Sequence, residues 1–576
     1  MSNARNAAGA RSPHRRRLLA GAALATLLTM GSGVFAPSAG TGEPPGPNGE
    51  PAPVGAPAAG RPALPGPAET WGRAADVEGP NGLYVGGPDG HIYHGSDAGN
   101  ELDELDPHTG EVLDRIGAER GVRGPDDVYV AYDGTIYWTE IFQGNVGMLK
   151  PDGTWRIQHV ALGTNPITMN AEGRLFTALD FLGNGLYELD PDLIEPPKLL
   201  LADIDTLNGF GFGPDGYLYG PLFFDHRVVR IDVDATPPTV ETVADGFRVP
   251  SGVEFDSRGR MIVTDFAEGQ VIRIDLGSGA RETIFDTEGM LDNSAVGPDD
   301  TVYTAAFGDG VIWAIDPSGD VRQVTEGGLI SAGGIAVDGD GSVLVADWFA
   351  MKRYTDGELS QTFYDRFDPP GEGMSGPNTV AVDGDRLIIT GYFSNVLQIL
   401  DGRNADVITD VRDLATPTNA IVHGGGIAVA QAGAATGAGP GSVVRLEDRG
   451  VLMDGLTLPT GLASDGTTLY VADWATGDVW STGDGAKVRV AAGLNHPEGI
   501  ALTGDGRLLV AEEGIDQVTA IDLANGDRRA VAHVALGDEY APGLLPYGML
   551  TGIALAPDGG FWVASDVDNV VHRFDL

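Results

Sequence analysis

Residues 497–511 read PEGIALTGDGRLLVA, and two other stretches follow the same plan: PSGVEFDSRGRMIVT at 250–264 and PTGLASDGTTLYVA at 459–472. Each opens on Pro, a polar residue and Gly. An apolar run, a tight turn and a second apolar run follow. Pro and Gly sit where a tight turn needs a preset or a positive φ. Runs this short, alternating around turn residues and without helical periodicity, predict β-hairpins. The polar slot holds Ser251 in one copy, Thr460 in another and Glu498 in the third.

Working outward, the slot recurs at Asn81, Asp126, Asn165, Asn208, Ser251, Asn293, Gly333, Asn378, Asn419, Thr460, Glu498 and Thr551, with gaps of 38 to 53 residues. A period of about 40 residues marks a repeat architecture. Each unit continues through a third strand, such as VVRID at 228–232, and a weaker fourth, such as TVETVA at 239–244. Four short antiparallel strands per unit describe a propeller blade. The expected fold is all-β, with twelve four-stranded blades forming two six-bladed β-propellers. The last unit stops after its third strand, VVHRFDL at 570–576, and ETWGRAAD at 69–76 reads as an orphan fourth strand. Pairing of the two predicts interleaved rings: 69–287 plus 538–576 as one propeller and 288–537 as the other. The long connection 537–550 would then cross between rings. The alternative is sequential, 69–327 followed by 328–576.

The 576 residues carry 82 acidic and 36 basic side chains, a net charge of −46. Such a surface repels nucleic acid and attracts cations. The absence of Cys excludes disulfides, thiolate metal sites and cysteine nucleophiles. Residues 14–19, HRRRLL, followed by a short apolar run, predict an export signal over 1–36, of twin-arginine or Sec type. The run is too short for a membrane span. Residues 37–68, rich in Pro, Gly and Ala, read as a disordered linker.

Six-bladed rings with slots of the type PNG, PSG and PEG resemble the regucalcin/gluconolactonase/luciferin-regenerating-enzyme family, with NHL and strictosidine-synthase-like propellers as cousins. The segment GPDDVYVAYDGTIYWTEIFQGNVGMLKPDG at 124–153 resembles a blade of the virginiamycin B lyase type. The resemblance implies a divalent metal in a central channel, held by a Glu, an Asn three blades on and an Asp on the next. An oxygen-only set suits Ca²⁺ or Mg²⁺, with Ca²⁺ the first expectation. Counted round six blades from Glu498, this spacing reaches Asn378 and Asn419, Asn standing where the family has Asp. In the other ring the candidates are Glu78, Asn81, Asp126, Asn165, Asn208 and Ser251, with Ser251 where the family's Asp is expected. That ring would bind metal through Glu78 or Asp126, or bind none.

His496, beside Glu498, is the candidate general base. His226 is a weaker one. His91 and His94 fall on opposite faces of one strand, which argues against joint ligation. Aromatic residues recur in the loops after the second strand: Phe142, Phe181, Phe223, Phe224, Phe266, Phe307, Trp348, Phe349, Tyr392, Phe393 and Trp474. They read either as packing between blades or as an apolar vestibule for a small-molecule lactone or ester substrate. No phosphate-binding loop, dinucleotide fingerprint or serine elbow is present. Two functions follow: a metal-dependent hydrolase of the gluconolactonase or lactonase type, or a non-catalytic ligand- or protein-binding scaffold. The sequence leaves the oligomeric state open.

Overall fold

The computed structural model describes residues 64–367, 369–392, 394–433, 440–483, 486–537 and 550–576, without the side chain of Asp205. The expected export signal, the linker up to residue 63, Phe393 and the connection over 538–549 lie outside the described residues.

The chain is all-β and forms twelve four-stranded antiparallel sheets. Blades 1 to 6 occupy 83–116, 128–159, 164–205, 211–245, 250–286 and 291–323. Blades 7 to 12 occupy 332–364, 379–411, 417–456, 459–491, 497–533 and 553–574. In eleven blades the strands pair in chain order from the inside outward. The hairpins turn as their sequences require: in GPDG at 213–216 the Gly216 N–H bonds the Gly213 carbonyl at 3.0 Å, with φ of +83° at Gly216.

The Gly that follows the slot in blades 10 and 11 answers to the neighbouring blade. A Cβ on Gly461 would lie 2.0 Å from the Glu498 carbonyl oxygen, and one on Gly499 would lie 2.2 Å from that of Thr551. Backbone stands against backbone at the axis, so only Gly fits there. The outer parts of the blades diverge, and apolar side chains fill the wedges. Burying one Leu, Ile or Val contributes about 1.5–3 kcal/mol.

These wedges show how the rings close. Leu83, Val85 and Ile92 of blade 1 pack with Ala295, Tyr303 and Ile312 of blade 6. Ala332, Ile335 and Val343 of blade 7 pack with Trp562, Ala564 and Val571 of blade 12. The innermost strand Leu83–Gly86 also contacts Leu291–Val296, as Ala332–Val337 contacts Ile553–Leu555. Blades 1–6 therefore make one ring and blades 7–12 a second. This corrects the interleaved arrangement of 69–287 plus 538–576 around 288–537. The strand pairing that suggested it is present: Glu69–Trp71 forms the outermost strand of blade 12, with Thr70 opposite His572. An outermost strand does not fix ring membership, however. After Trp71 the chain crosses to the first ring beside the outgoing connection, where Leu329 N–H bonds the Arg73 carbonyl at 2.8 Å and Ala75 N–H bonds that of Leu329 at 3.0 Å. Among the described residues no helix is long and apolar enough to cross a membrane.

Candidate functional site

The slot residues open the innermost strands, so each ring gathers them at one mouth of its channel. In the first ring Asn81 Nδ2 donates to Asp126 Oδ2 at 3.2 Å. Asp97, in the loop after the second strand of blade 1, shares a hydrogen bond with Asp126. Asp292, beside the blade 6 slot, and Asp180, on blade 3, act electrostatically on Asp126. All four carboxyls are buried. Burial pushes Asp97 up to about 8, with the Asp126 hydrogen bond opposing the shift and Asp292 and Glu140 adding to it; burial, then Asp97 and Asp292, hold Asp126 well above the usual carboxylate range. Burial and then Asp127 push Asp292 up to about 7. Among the described residues, the charged groups that act most on these three are acids.

Among the buried oxygens at this mouth, Asp97 Oδ1 and Asn293 Oδ1 have no hydrogen-bond partner among the described residues. Asn293 reaches toward blades 4 and 5, where its oxygen would lie 2.5 Å from a Cβ on Gly209 and 3.1 Å from one on Gly252. Below the mouth, a cavity of about 200 Å³ runs along the axis, lined by Tyr84, Asp127, Tyr129, Met169, Phe212 and Glu254 among others. Enclosure there pushes Glu254 up to about 8, with Asp127 adding to the shift. Asp127 Oδ2 accepts the Ile167 N–H at 2.9 Å and so staples blade 2 to blade 3.

The other first-ring candidates are spent on the fold or stand elsewhere. Ser251 Oγ donates to the Leu291 carbonyl at 3.3 Å and to that of Asp292. Asn208 Oδ1 accepts the Gly209 N–H at 2.6 Å. Asn165 Oδ1 accepts from Thr139 Oγ1 at 3.4 Å. Glu78 lies at the boundary between rings, where Oε1 accepts from Asn569 Nδ2 at 3.0 Å.

In the second ring, blades 8, 9 and 11 share one channel, but their three slot residues play different parts. Glu498 is fully buried. One of its oxygens accepts the Thr551 N–H at 3.2 Å; the other, Oε1, has no partner. Burial, then Glu513 and Asp566, raise its pKa well above the ordinary value. Asn419 lines the same cavity of about 260 Å³, with its Nδ2 donating to the Thr460 carbonyl at 2.9 Å. Asn378 is outside the cavity lining, and its Oδ1 accepts the Tyr392 N–H at 2.9 Å. His496 is exposed and stacks on Trp474 with ring centres 4.1 Å apart, while Trp474 Nε1 donates to Glu513 Oε2 at 2.5 Å.

His94 is buried against Asp103 at 3.1 Å, apart from His91, which bonds Glu104 at 2.5 Å. Asp89, His91 and Glu104 bring three ligand-type atoms within 4.8 Å of one another at the surface of blade 1. His226 is held by the Arg248 carbonyl.

Asp97, Asp180 and Asp292 were not singled out by the sequence. The signal was present in part, because an Asp recurs after the second strand of many blades. In blades 5, 7 and 10 that Asp is a staple: Asp265, Asp347 and Asp473 each accept two backbone N–H groups at 2.7–3.0 Å. Asp97, in contrast, keeps an unpartnered oxygen at the mouth.

Residues 124–329 match the model of the SMP-30/gluconolactonase/LRE-like region. Among solved structures, a streptogramin B lyase is 17% identical, with a TM-score of 0.37, over 48% of this chain and 93% of that one. Virginiamycin B lyase from Staphylococcus aureus is 15% identical, with a TM-score of 0.30, over 46% and 90%. A provisionally assigned gluconolactonase is 15% identical, with a TM-score of 0.36, over 46% and 95%. No curated protein matches the sequence. The matched stretch runs from the start of blade 2 to the connection after blade 6 and contains Asp126, Asp180, Asp292 and Asn293. The chain of two six-bladed rings thus contains one stretch, 124–329, that is similar to the SMP-30/gluconolactonase/LRE-like region.

Proposed function

We propose that the protein is an exported, metal-dependent hydrolase of small lactones or esters, working at the mouth of the first ring. The observation that carries this reading is that Asp97, Asp126 and Asp292 are buried together and, among the described residues, acted on chiefly by other acids, together with the orphan oxygens of Asp97 and Asn293. Buried like charges are costly unless they are protonated or cation-bound. Asp97, Asp126 and Asn81 would hold the cation, and the oxygen-only donor set favours calcium. A bound divalent ion supplies polarisation of the substrate carbonyl. Asn293 Oδ1 is available to orient the incoming water. Asp292, held near neutral pKa, accepts the proton as water adds to the acyl carbon. The C–O bond to the alcohol then breaks, and the alkoxide takes that proton.

The second reading is a non-catalytic binding ring. It is favoured for the second propeller, where the Asn378 carbonyl is already taken by Tyr392. Calorimetric titration with calcium chloride, and a lactone and aryl-ester panel with and without chelator, test both readings. Calcium-dependent turnover abolished by Asp126→Asn supports the hydrolase. Calcium binding without turnover of any panel member leaves the scaffold.

A further inference from the structure

The mouth of the first ring has two unlike sides. Asp97, Asp126, Asp180 and Asp292 make the acidic side. The loops of blades 3 to 6 make the other side with Phe181, Phe223, Phe224, Phe266 and Phe307. Asp180 and Phe181 are consecutive, and the Asp180 carboxylate accepts the Phe181 N–H at 2.8 Å, so the two sides meet there. Phe181 stands 5.2 Å from Phe223 and 5.9 Å from Phe224, centre to centre.

The second ring completes this aromatic side. The segment after the outer strand of blade 7 lies over the first ring's loops, with Phe367 5.1 Å from Phe266 and 6.2 Å from Phe223. Polar contacts pin it there. Tyr364 Oη donates to the Asp309 carboxylate at 2.8 Å, and Arg366 donates to the Glu288 carbonyl at 2.8 Å. Phe181, Trp348 and Phe367 all hold the left-handed backbone conformation, with φ of +48°, +56° and +52°. Bulky residues adopt it rarely, and residues so held cluster at binding sites. Packing between rings accounts for the buried members. It does not account for Phe224 and Phe367, which remain 40% and 39% exposed.

Resting on the hydrolase reading above, we propose that Phe367 of the second ring and Phe224 of the first form a shared specificity wall for the first ring's site. The wall selects esters or lactones that carry an aromatic or compact branched hydrocarbon group near the acyl carbonyl. The carbonyl faces the acids while the apolar group lies against the phenyl rings. A second propeller in one chain thereby has a role at the first one's site: it sets which substrate is held, and leaves the chemistry to the acids.

The test uses the calcium-supplemented full chain and two readouts. The first is fluorescence titration with the neutral diaryl amine N-phenyl-1-naphthylamine. Saturable binding is expected, weakened about fivefold or more in Phe367→Ala and in Phe224→Ala and restored by Phe367→Leu, with calcium affinity unchanged. The second is the KM for phenyl esters, expected to rise in both Ala variants while kcat and the KM for methyl esters hold. Absence of any turnover with the probe result intact would remove the hydrolase reading and keep the wall. No saturable probe binding, or equal affinity in wild type and both Ala variants, overturns the wall.

Discussion

The side-chain amide of Asn569 donates to the Glu78 carboxylate at 3.0 Å, joining residues 491 apart in sequence and on opposite sides of the ring boundary. The same Asn569 accepts the Ala332 N–H through its oxygen at 3.1 Å, so one amide ties the entry into blade 1, the start of blade 7 and the last turn of blade 12. Glu78 is pushed up to about 7, chiefly by burial, with Glu101 adding to the shift and Asn569 opposing it. Asn569→Ala should cost about 1–3 kcal/mol by leaving buried polar groups unpaired. The loss should be greater at pH 9, where Glu78 is ionised, than at pH 5. Denaturant melts at the two pH values measure this, and an equal loss at both would remove Glu78 from the explanation.

The acidic mouth sets the direction of the pH dependence. Unfolded, its carboxyls lose their protons near pH 4. Folded, Asp97 keeps its proton to about pH 8, and Asp292 and Asp127 keep theirs to about pH 7. The folded chain therefore binds more protons between those limits, and stability falls as pH rises through that window. In chelator the midpoint of unfolding should drop from pH 5 to pH 8 and level off above it. Asp97→Asn should flatten the drop. Calcium should restore stability at pH 8, because a ligand bound only by the folded state stabilises it. A midpoint that rises with pH in chelator contradicts the placement of these groups.

The blades were legible because each carries its own punctuation. Where a Gly follows the slot it is required by contact with the next blade, as at Gly461 and Gly499, so in those units the repeat is written into the sequence. The closure of the rings was not. Pairing of Glu69–Trp71 with blade 12 is readable from the incomplete last unit, but the partner of the innermost strand Leu83–Gly86 has no local signature. Of the residues at the channel mouths, Asp126, Asn419 and Glu498 are readable in the sequence as slot residues. Asp97 was hidden by likeness, because Asp265 at the equivalent place is a backbone staple. Only the partners distinguish the two, and they come from residues distant in sequence.

Lys352 is one of four lysines in the chain and is 1% exposed. Its ammonium donates to Asp347 at 2.6 Å, to the Gly308 carbonyl of the first ring at 3.2 Å and to the Gly328 carbonyl at the crossing. Lys352→Met keeps the volume and strands a buried carboxylate, which costs about 3–5 kcal/mol. Adding Asp347→Asn to it should recover part of that loss, a coupling that a double-mutant cycle reads directly. Because the ammonium bridges both rings, thermal unfolding of the variant should separate into two transitions. A single transition at the wild-type midpoint would show the bridge to be energetically silent.

Glu498 tests whether the second channel holds a cation. Its carboxyl is enclosed with one oxygen unpartnered, and Glu513 and Asp566 oppose its ionisation. In chelator at pH 8, Glu498→Gln removes a group that is unfavourable to ionise and should raise stability by about 1–3 kcal/mol. In calcium the order should reverse, since wild type gains the binding free energy of a cation that the amide holds poorly. Asn378→Ala should leave that calcium response unchanged, because its carbonyl is bonded to Tyr392, whereas Asn419→Ala, on the cavity wall, should weaken it. Calcium shifting wild type and Glu498→Gln equally would leave the buried carboxyl protonated and the second ring without a metal. Glu498 would then serve only to accept the Thr551 N–H that joins blade 11 to blade 12.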